Sequence, residues 1–202
     1  MPQDPRPKRV AIFVFEEVEV LDFAGPFEVF AVTGQRSGPA PFEVVTVAAK
    51  EGPLRARNGL VVTPAYTFAT LPQPDILVIP GGYGTRPLVN DPPTIEWIQR
   101  LSPKVELLLS VCTGALLLAK AGLLDGKEAT THFGALDLLR QLAPTTTVKE
   151  NTRFVDNGSI ITSAGISAGI DMSLHAVSRL LGIDVARETA HYMEYRWIEG
   201  AD

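Results

Sequence analysis

The sequence predicts an α/β fold in which a mostly parallel sheet is covered by helices on both faces. Short apolar runs recur at Val10–Phe15, Phe42–Ala49, Asp75–Pro80 and Val105–Val111. Segments with helical spacing follow most of them, and Gly- or Pro-bearing turns stand where runs end. A strand apolar on both sides must be buried on both sides, which a parallel sheet between two helical layers provides.

Taken in order, Val10–Phe15 (VAIFVF) reads as the first buried strand. Phe23, Phe27 and Phe30 then recur at helical spacing within Leu21–Val32, and Pro26 suits a first helical turn, so the helix is expected to begin near Gly25-Pro26. Phe42–Ala49 is the second strand. Asn58-Gly59 suits a two-residue hairpin turn before Leu60–Thr63. Asp75–Pro80 runs into Gly81-Gly82-Tyr83-Gly84, and Ile95–Leu101 is helical. Val105–Val111 ends at Cys112-Thr113-Gly114, and an apolar helix, Ala115–Ala121, starts directly after. Ala135–Leu142 is expected as a helix and Arg153–Thr162 as a hairpin around Asp156-Asn157-Gly158. Ile166, Ile170, Leu174, Val177 and Leu181 share one helix face, and Asp184–Trp197 closes the chain as a more polar helix.

Composition narrows the class of function. The 202 residues are 46% apolar and 20% charged, the balance of an ordinary globular protein with a sizeable core. A net charge of −5 without a run of Lys or Arg argues against a nucleic-acid partner. No apolar stretch approaches the roughly 18 residues that span a bilayer. A single cysteine rules out an internal disulfide, and the first residues lack a signal-peptide core, so the cytoplasm is expected. Residues 1–8 are Pro-rich and polar and read as a frayed tail. Residues 9–202 show no linker, repeat or low-complexity break and read as one domain.

Chemistry in open α/β sheets collects where strands end and loops open. A strand that leads straight into Cys112, with a helix straight after, has the pattern of a nucleophile elbow, in which a tight turn lifts a side chain above the sheet. A helix N-terminus beside the sulfur favours thiolate. The same residue type also serves as a small core hydrophobe. The glycines after Pro80 can aim backbone N–H groups into a site. A donor near Gly82 together with the Thr113 N–H would form an oxyanion hole, and a plain Gly-rich turn is the alternative. Asp22 lies between Leu21 and Phe23, where apolar neighbours raise a carboxyl pKa and suit it to proton transfer. Its other reading is a helix N-cap.

His132 can reach a thiolate or be hydrogen-bonded at a strand end. His175 stands four residues after Asp171, close enough on a helix for a local structural pair. His191 is expected at the surface. Three scattered histidines and one cysteine do not make a metal site, and no cofactor is implied.

The segments Leu21-Asp22-Phe23-Ala24-Gly25-Pro26, Ile79-Pro80-Gly81-Gly82, Ser110-Val111-Cys112-Thr113-Gly114, Ala129-Thr130-Thr131-His132 and Ser163–Asp171 together resemble the ThiJ/PfpI superfamily, in the same order across nearly the whole chain. The resemblance implies a flavodoxin-like three-layer sandwich, a class I glutamine amidotransferase-like domain, a cysteine at a strained elbow beside an acid, and commonly a homodimer. Within the superfamily, Leu-Asp-x-x-Gly-Pro and Val-Cys-Thr-Gly look most like isocyanide hydratase. Carried over by position, that likeness makes Cys112 the nucleophile and Asp22 the general acid/base. It sets Thr113 at the site's border, Gly82 as a backbone donor, and Ile166 and His132 against the pocket. Phe133 departs from it, since a Trp is expected there.

The implied reaction is hydration of an isocyanide to an N-substituted formamide through a cysteine thioimidate, without cofactor or metal. The rivals are a glyoxalase or deglycase acting on reactive carbonyls with Cys112 and His132, and a non-catalytic redox or ligand sensor like the front half of AraC-type regulators.

Overall fold

A computed structural model describes residues 6–35 and 38–200. The main sheet has seven strands: β1 (Lys8–Phe13), β2 (Phe42–Ala48), β3 (Tyr66–Thr67), β4 (Ile76–Ile79), β5 (Leu107–Val111), β6 (Phe154–Asp156) and β7 (Ile160–Ser163). Their spatial order is β6-β7-β5-β4-β1-β2-β3, and every neighbouring pair is parallel except β6 with β7. The sequence expectation of a mostly parallel sheet is met. β4, β5 and β7 are buried along their whole length, as continuous apolar runs require.

Among the described residues, six helices of seven or more residues cover it. On one face α1 (Val20–Val32) packs with α5 (Ala168–Leu181) and α6 (Ile183–Tyr192). On the other, α2 (Pro92–Leu101) and α4 (Leu136–Leu142) flank the apolar α3 (Gly114–Lys120). All but one residue of α3 is buried, so it forms the heart of its layer.

Several boundaries differ from the sequence expectation, each for a local reason. α1 begins at Val20, and Pro26 lies inside it. The proline's missing N–H leaves the carbonyl of Asp22 without its helical partner, a local loss that the packed helix tolerates. Asn58-Gly59 does not form a two-residue turn. Leu54–Arg55 pairs with Val61–Val62, and Ala56 N–H donates to the Leu60 carbonyl at 2.8 Å, which makes the loop longer. The last helix stops at Tyr192 because Glu194 turns left-handed at φ 50° and Tyr195 N–H closes back on the Ala190 carbonyl. Of the expected tail, residues 1–5 lie outside the described residues. Arg6 is anchored to Asp75 at 2.7 Å, and Lys8 already pairs with Phe42 in β1.

The functional consequence lies at the carboxyl edge. The loops after the adjacent strands β1, β4, β5 and β7 meet there, and the β5–α3 turn is pressed against the end of β4. A Cβ on Gly114 would fall 1.9 Å from the Ile79 carbonyl oxygen. Gly114→Ala should therefore cost about 1–3 kcal/mol, the usual range for overpacking. Thermal denaturation reads it, and an unchanged melting temperature would show that the turn is not pressed against β4.

Candidate active site

Cys112 sits between β5 and α3 with φ 56°, a left-handed conformation that lifts its side chain out of the strand direction. Such strain persists only where the surroundings over-determine it. Here the Cys112 N–H donates to the Ser163 and Ala164 carbonyls at 3.2 and 3.1 Å, and its carbonyl accepts the Thr131 hydroxyl at 2.7 Å. The elbow is thus held from β7 and from the strand end before His132. Thr131 was missed as a site residue from sequence, although it stands inside one of the segments that carried the resemblance.

Asp22 is fully buried. Glu19, not Asp22, occupies the N-cap position of α1, so the capping alternative for Asp22 falls. One carboxylate oxygen, Oδ2, accepts the Gly81 N–H at 3.0 Å. The other, Oδ1, makes no ordinary hydrogen bond among the described residues, and the Cys112 thiol and the Ile166 N–H are the polar hydrogens brought to bear on the group. Burial pushes the carboxyl up to about 7, with the Glu19 charge adding to the rise. The Gly81 N–H and then the Cys112 thiol pull it back.

The thiol is displaced in the same direction. Burial, and after it the charge of Asp22, pushes Cys112 up to about 12. The Thr113 N–H and hydroxyl favour the thiolate but are outweighed. The expectation of a resting thiolate at a helix N-terminus is therefore corrected. At 6% exposure, with a carboxylate beside it, the sulfur keeps its proton.

The glycine turn does a different task from the one expected of it. The Gly82 N–H donates to Thr113 Oγ1 at 3.0 Å and the Gly81 N–H to Asp22, so both donors orient side chains. Gly82, expected as an oxyanion donor, is corrected to a support for Thr113. Thr85, fully buried and unremarkable in sequence, completes this support by reaching the Gly82 carbonyl at 2.8 Å and Thr113 Oγ1 at 3.1 Å. A Cβ on Gly81 would lie 2.5 Å from the Thr113 nitrogen and 2.8 Å from Asp22 Oδ2. The close meeting of three loops is possible only because this residue has no side chain.

Ile166 adopts φ 54°, an outlier for a β-branched residue. Its side chain lines a cavity of about 490 Å³ together with Thr131, His132, Phe133 and Arg153. His132 belongs to that wall. Its Nδ1 accepts the Gly134 N–H at 3.1 Å, its ring lies 4.3 Å from that of Phe133, and no hydrogen bond joins it to Cys112 among the described residues. The expected pairing of His175 with Asp171 is also corrected. His175 bonds Asp156 at 2.8 Å across to β6, while Asp171 turns to Arg153 and Tyr195. His191 is exposed as expected. Among the described residues no group of three or more His, Cys, Asp or Glu is placed to hold a metal ion.

The comparisons with known proteins cover the stretch of chain that carries this site. Residues 8–179 match the DJ-1/PfpI family. This chain belongs to the DJ-1/PfpI family. Among its relatives, the isonitrile hydratase of Pseudomonas putida is 35% identical over 188 residues, covering 93% of this chain and 78% of that protein. The HTH-type transcriptional regulator CdhR of Pseudomonas aeruginosa is 33% identical over 140 residues, 69% of this chain but only 41% of the regulator. The crystal structure of a ThiJ/PfpI family protein from Pseudomonas syringae superposes with a TM-score of 0.85 at 28% identity, covering 100% of this chain and 84% of that one. The family thus includes enzymes and regulators, and this DJ-1/PfpI chain shares the fold of a solved member over its whole length.

The Asp22 shift makes a stability statement. A carboxyl raised from 3.8 to about 7 binds its proton more tightly when folded, so stability is fully present at low pH. It falls as pH rises from about 4 to 7, by up to about 4 kcal/mol. Asp22→Asn removes that penalty. Urea denaturation should find the variant more stable than wild type at pH 8, with the gap narrowing at pH 5; a gap that does not vary with pH would contradict a buried, raised Asp22.

Proposed function

We propose that the protein is an isocyanide (isonitrile) hydratase-like lyase, converting R–NC and water to an N-substituted formamide. The observation that carries this reading is the pairing of a fully buried carboxyl, anchored on Gly81, with the thiol of an elbow cysteine. Both groups are desolvated, which suits a neutral, weakly polar substrate. The likeness to the P. putida hydratase supports the same reaction class.

Because the resting sulfur is a thiol, attack and proton transfer go together. Asp22, ionised in part near neutral pH, takes the thiol proton as Sγ bonds to the terminal isocyanide carbon. It returns that proton to the same carbon, giving the thioimidate R–N=CH–S. Water then adds to this carbon, and Asp22 passes one of its protons to the nitrogen, giving R–NH–CH(OH)–S. The C–S bond breaks as the hydroxyl gives its proton to Asp22, the formamide R–NH–CHO leaves, and Asp22 returns that proton to Cys112. One water is consumed and both groups are restored. The covalent route divides one difficult step into two easier ones, and the carboxyl contributes typically about 10²–10⁴-fold. The substituent R extends toward the cavity bounded by Ile166, His132 and Phe133.

A glyoxalase route through Cys112 and His132 is the weaker reading, since His132 is engaged by Gly134 and turned into the cavity wall. A sensor role draws support from the regulator relatives alone. A lone reduced cysteine fits the cytoplasm, and the resemblance favours a homodimer. Light scattering should then report twice 21.8 kDa, and a monomer mass at micromolar concentration would refute the dimer.

Formamide production from a panel of isocyanides is the deciding assay. Wild type should turn over, with a rate that climbs as pH passes through about 7. Cys112→Ala should be inactive while folded, and Asp22→Asn should lose at least about 10²-fold in kcat. Folded wild type that yields no formamide would leave the sensor reading standing.

A further inference from the structure

Arg153, just before β6, reaches both sides of the bend that presents Ile166. Ahead of the bend its carbonyl accepts the Ala164 N–H at 2.9 Å, and Ala164 accepts the Cys112 N–H. Beyond the bend its guanidinium donates through Nε to Asp171 Oδ2 at 2.8 Å, through Nη2 to the same oxygen, and to the Ser167 hydroxyl at 3.3 Å. Asp171 lies in the first turn of α5, is 6% exposed, and uses its other oxygen to accept the Tyr195 hydroxyl at 3.1 Å. Gly165 and Ile166 are the two residues between these anchors. The His132 ring closes the bend from above, since a Cβ on Gly165 would fall 2.4 Å from its Cδ2.

We propose that Arg153 is a positioning residue that, working against Asp171, holds the Ile166 N–H toward the Asp22 carboxyl. The proposal rests on the reading of Asp22 as the proton-handling group. A β-branched residue in the left-handed region is strained and relaxes once an anchor is cut. Relaxation would turn its N–H away from Asp22, and a carboxylate that loses a donor holds its proton to higher pH. The charged or titratable groups that bear on Asp22 directly are Cys112 and Glu19, so Arg153 acts on it through the bend.

Two substitutions separate positioning from long-range charge. Loss of a positive charge in Arg153→Met raises the Asp22 midpoint by either route. Loss of a negative charge in Asp171→Asn lowers it through space but raises it if the bend relaxes. The midpoint is read directly by NMR titration of carboxyl-labelled aspartate in the whole protein, with the Asp22 resonance assigned by its disappearance in Asp22→Asn. Both variants should shift it upward by about 0.5–1 pH unit. A purely structural role would lower the melting temperature and leave the midpoint in place, which would overturn the proposal; so would shifts of opposite sign. If Arg153→Met does not fold, Arg153→Lys, which keeps the charge and loses the fork, should shift the midpoint the same way, and no shift there is equally fatal. The titration is independent of turnover. A folded wild type that makes no formamide but shows both upward shifts would fail the hydratase reading and leave the positioning intact.

Discussion

A carboxyl group without exposed surface must be held by something other than water, and the backbone N–H of Gly81 is the group that holds Asp22. Much of the site follows from that one hydrogen bond. It requires the loop after β4 to approach α1 closely enough that no side chain fits at Gly81. It leaves the carboxyl group within the influence of the Cys112 thiol and the Ile166 N–H. It also leaves the charged form of Asp22 poorly solvated, so the group titrates near neutral pH, where a general acid/base is most effective.

The cysteine pays for the same burial. A desolvated sulfur beside a carboxylate keeps its proton, and the seven-residue helix after it does not reverse that balance. On the proposed reading, the pair suits a reaction in which proton and carbon move together. Neutral, compact electrophiles fit such a site better than charged ones.

Backbone strain is placed at the elbow and at the bend after β7. Cys112 and Ile166 both sit at positive φ without being glycine; Cys112 is tied by hydrogen bonds from β7 and from Thr131, and the Ile166 carbonyl accepts the Gly169 N–H at 3.1 Å. Strained positions survive where rigid neighbours outnumber them. Here those neighbours are β7, the turn carrying Thr131, and the Arg153–Asp171 pair.

The fold was legible in the chain because its evidence is local. Continuous apolar runs such as DILVIP and VELLLSV can only be strands buried on both faces, and the junction after β5 placed Cys112 at an elbow. Asp22 was legible as a carboxyl among apolar neighbours, though whether it capped a helix or faced the sulfur was not. The start of α1 at Val20, six residues before a proline, decided that, and it depends on packing against α5. The partners of each N–H in the glycine turn, the support from Thr85, and the wall position of His132 arise from contacts across 28 to 59 positions of chain or from turn geometry, and no local pattern encodes them. Most of all, the direction of the thiol's shift was decided by tertiary structure. The sequence by itself determined that a cysteine would stand at a helix start, which favours thiolate; only the folded protein shows how little water and how much neighbouring charge surround it, and desolvation outweighs the ends of a short helix.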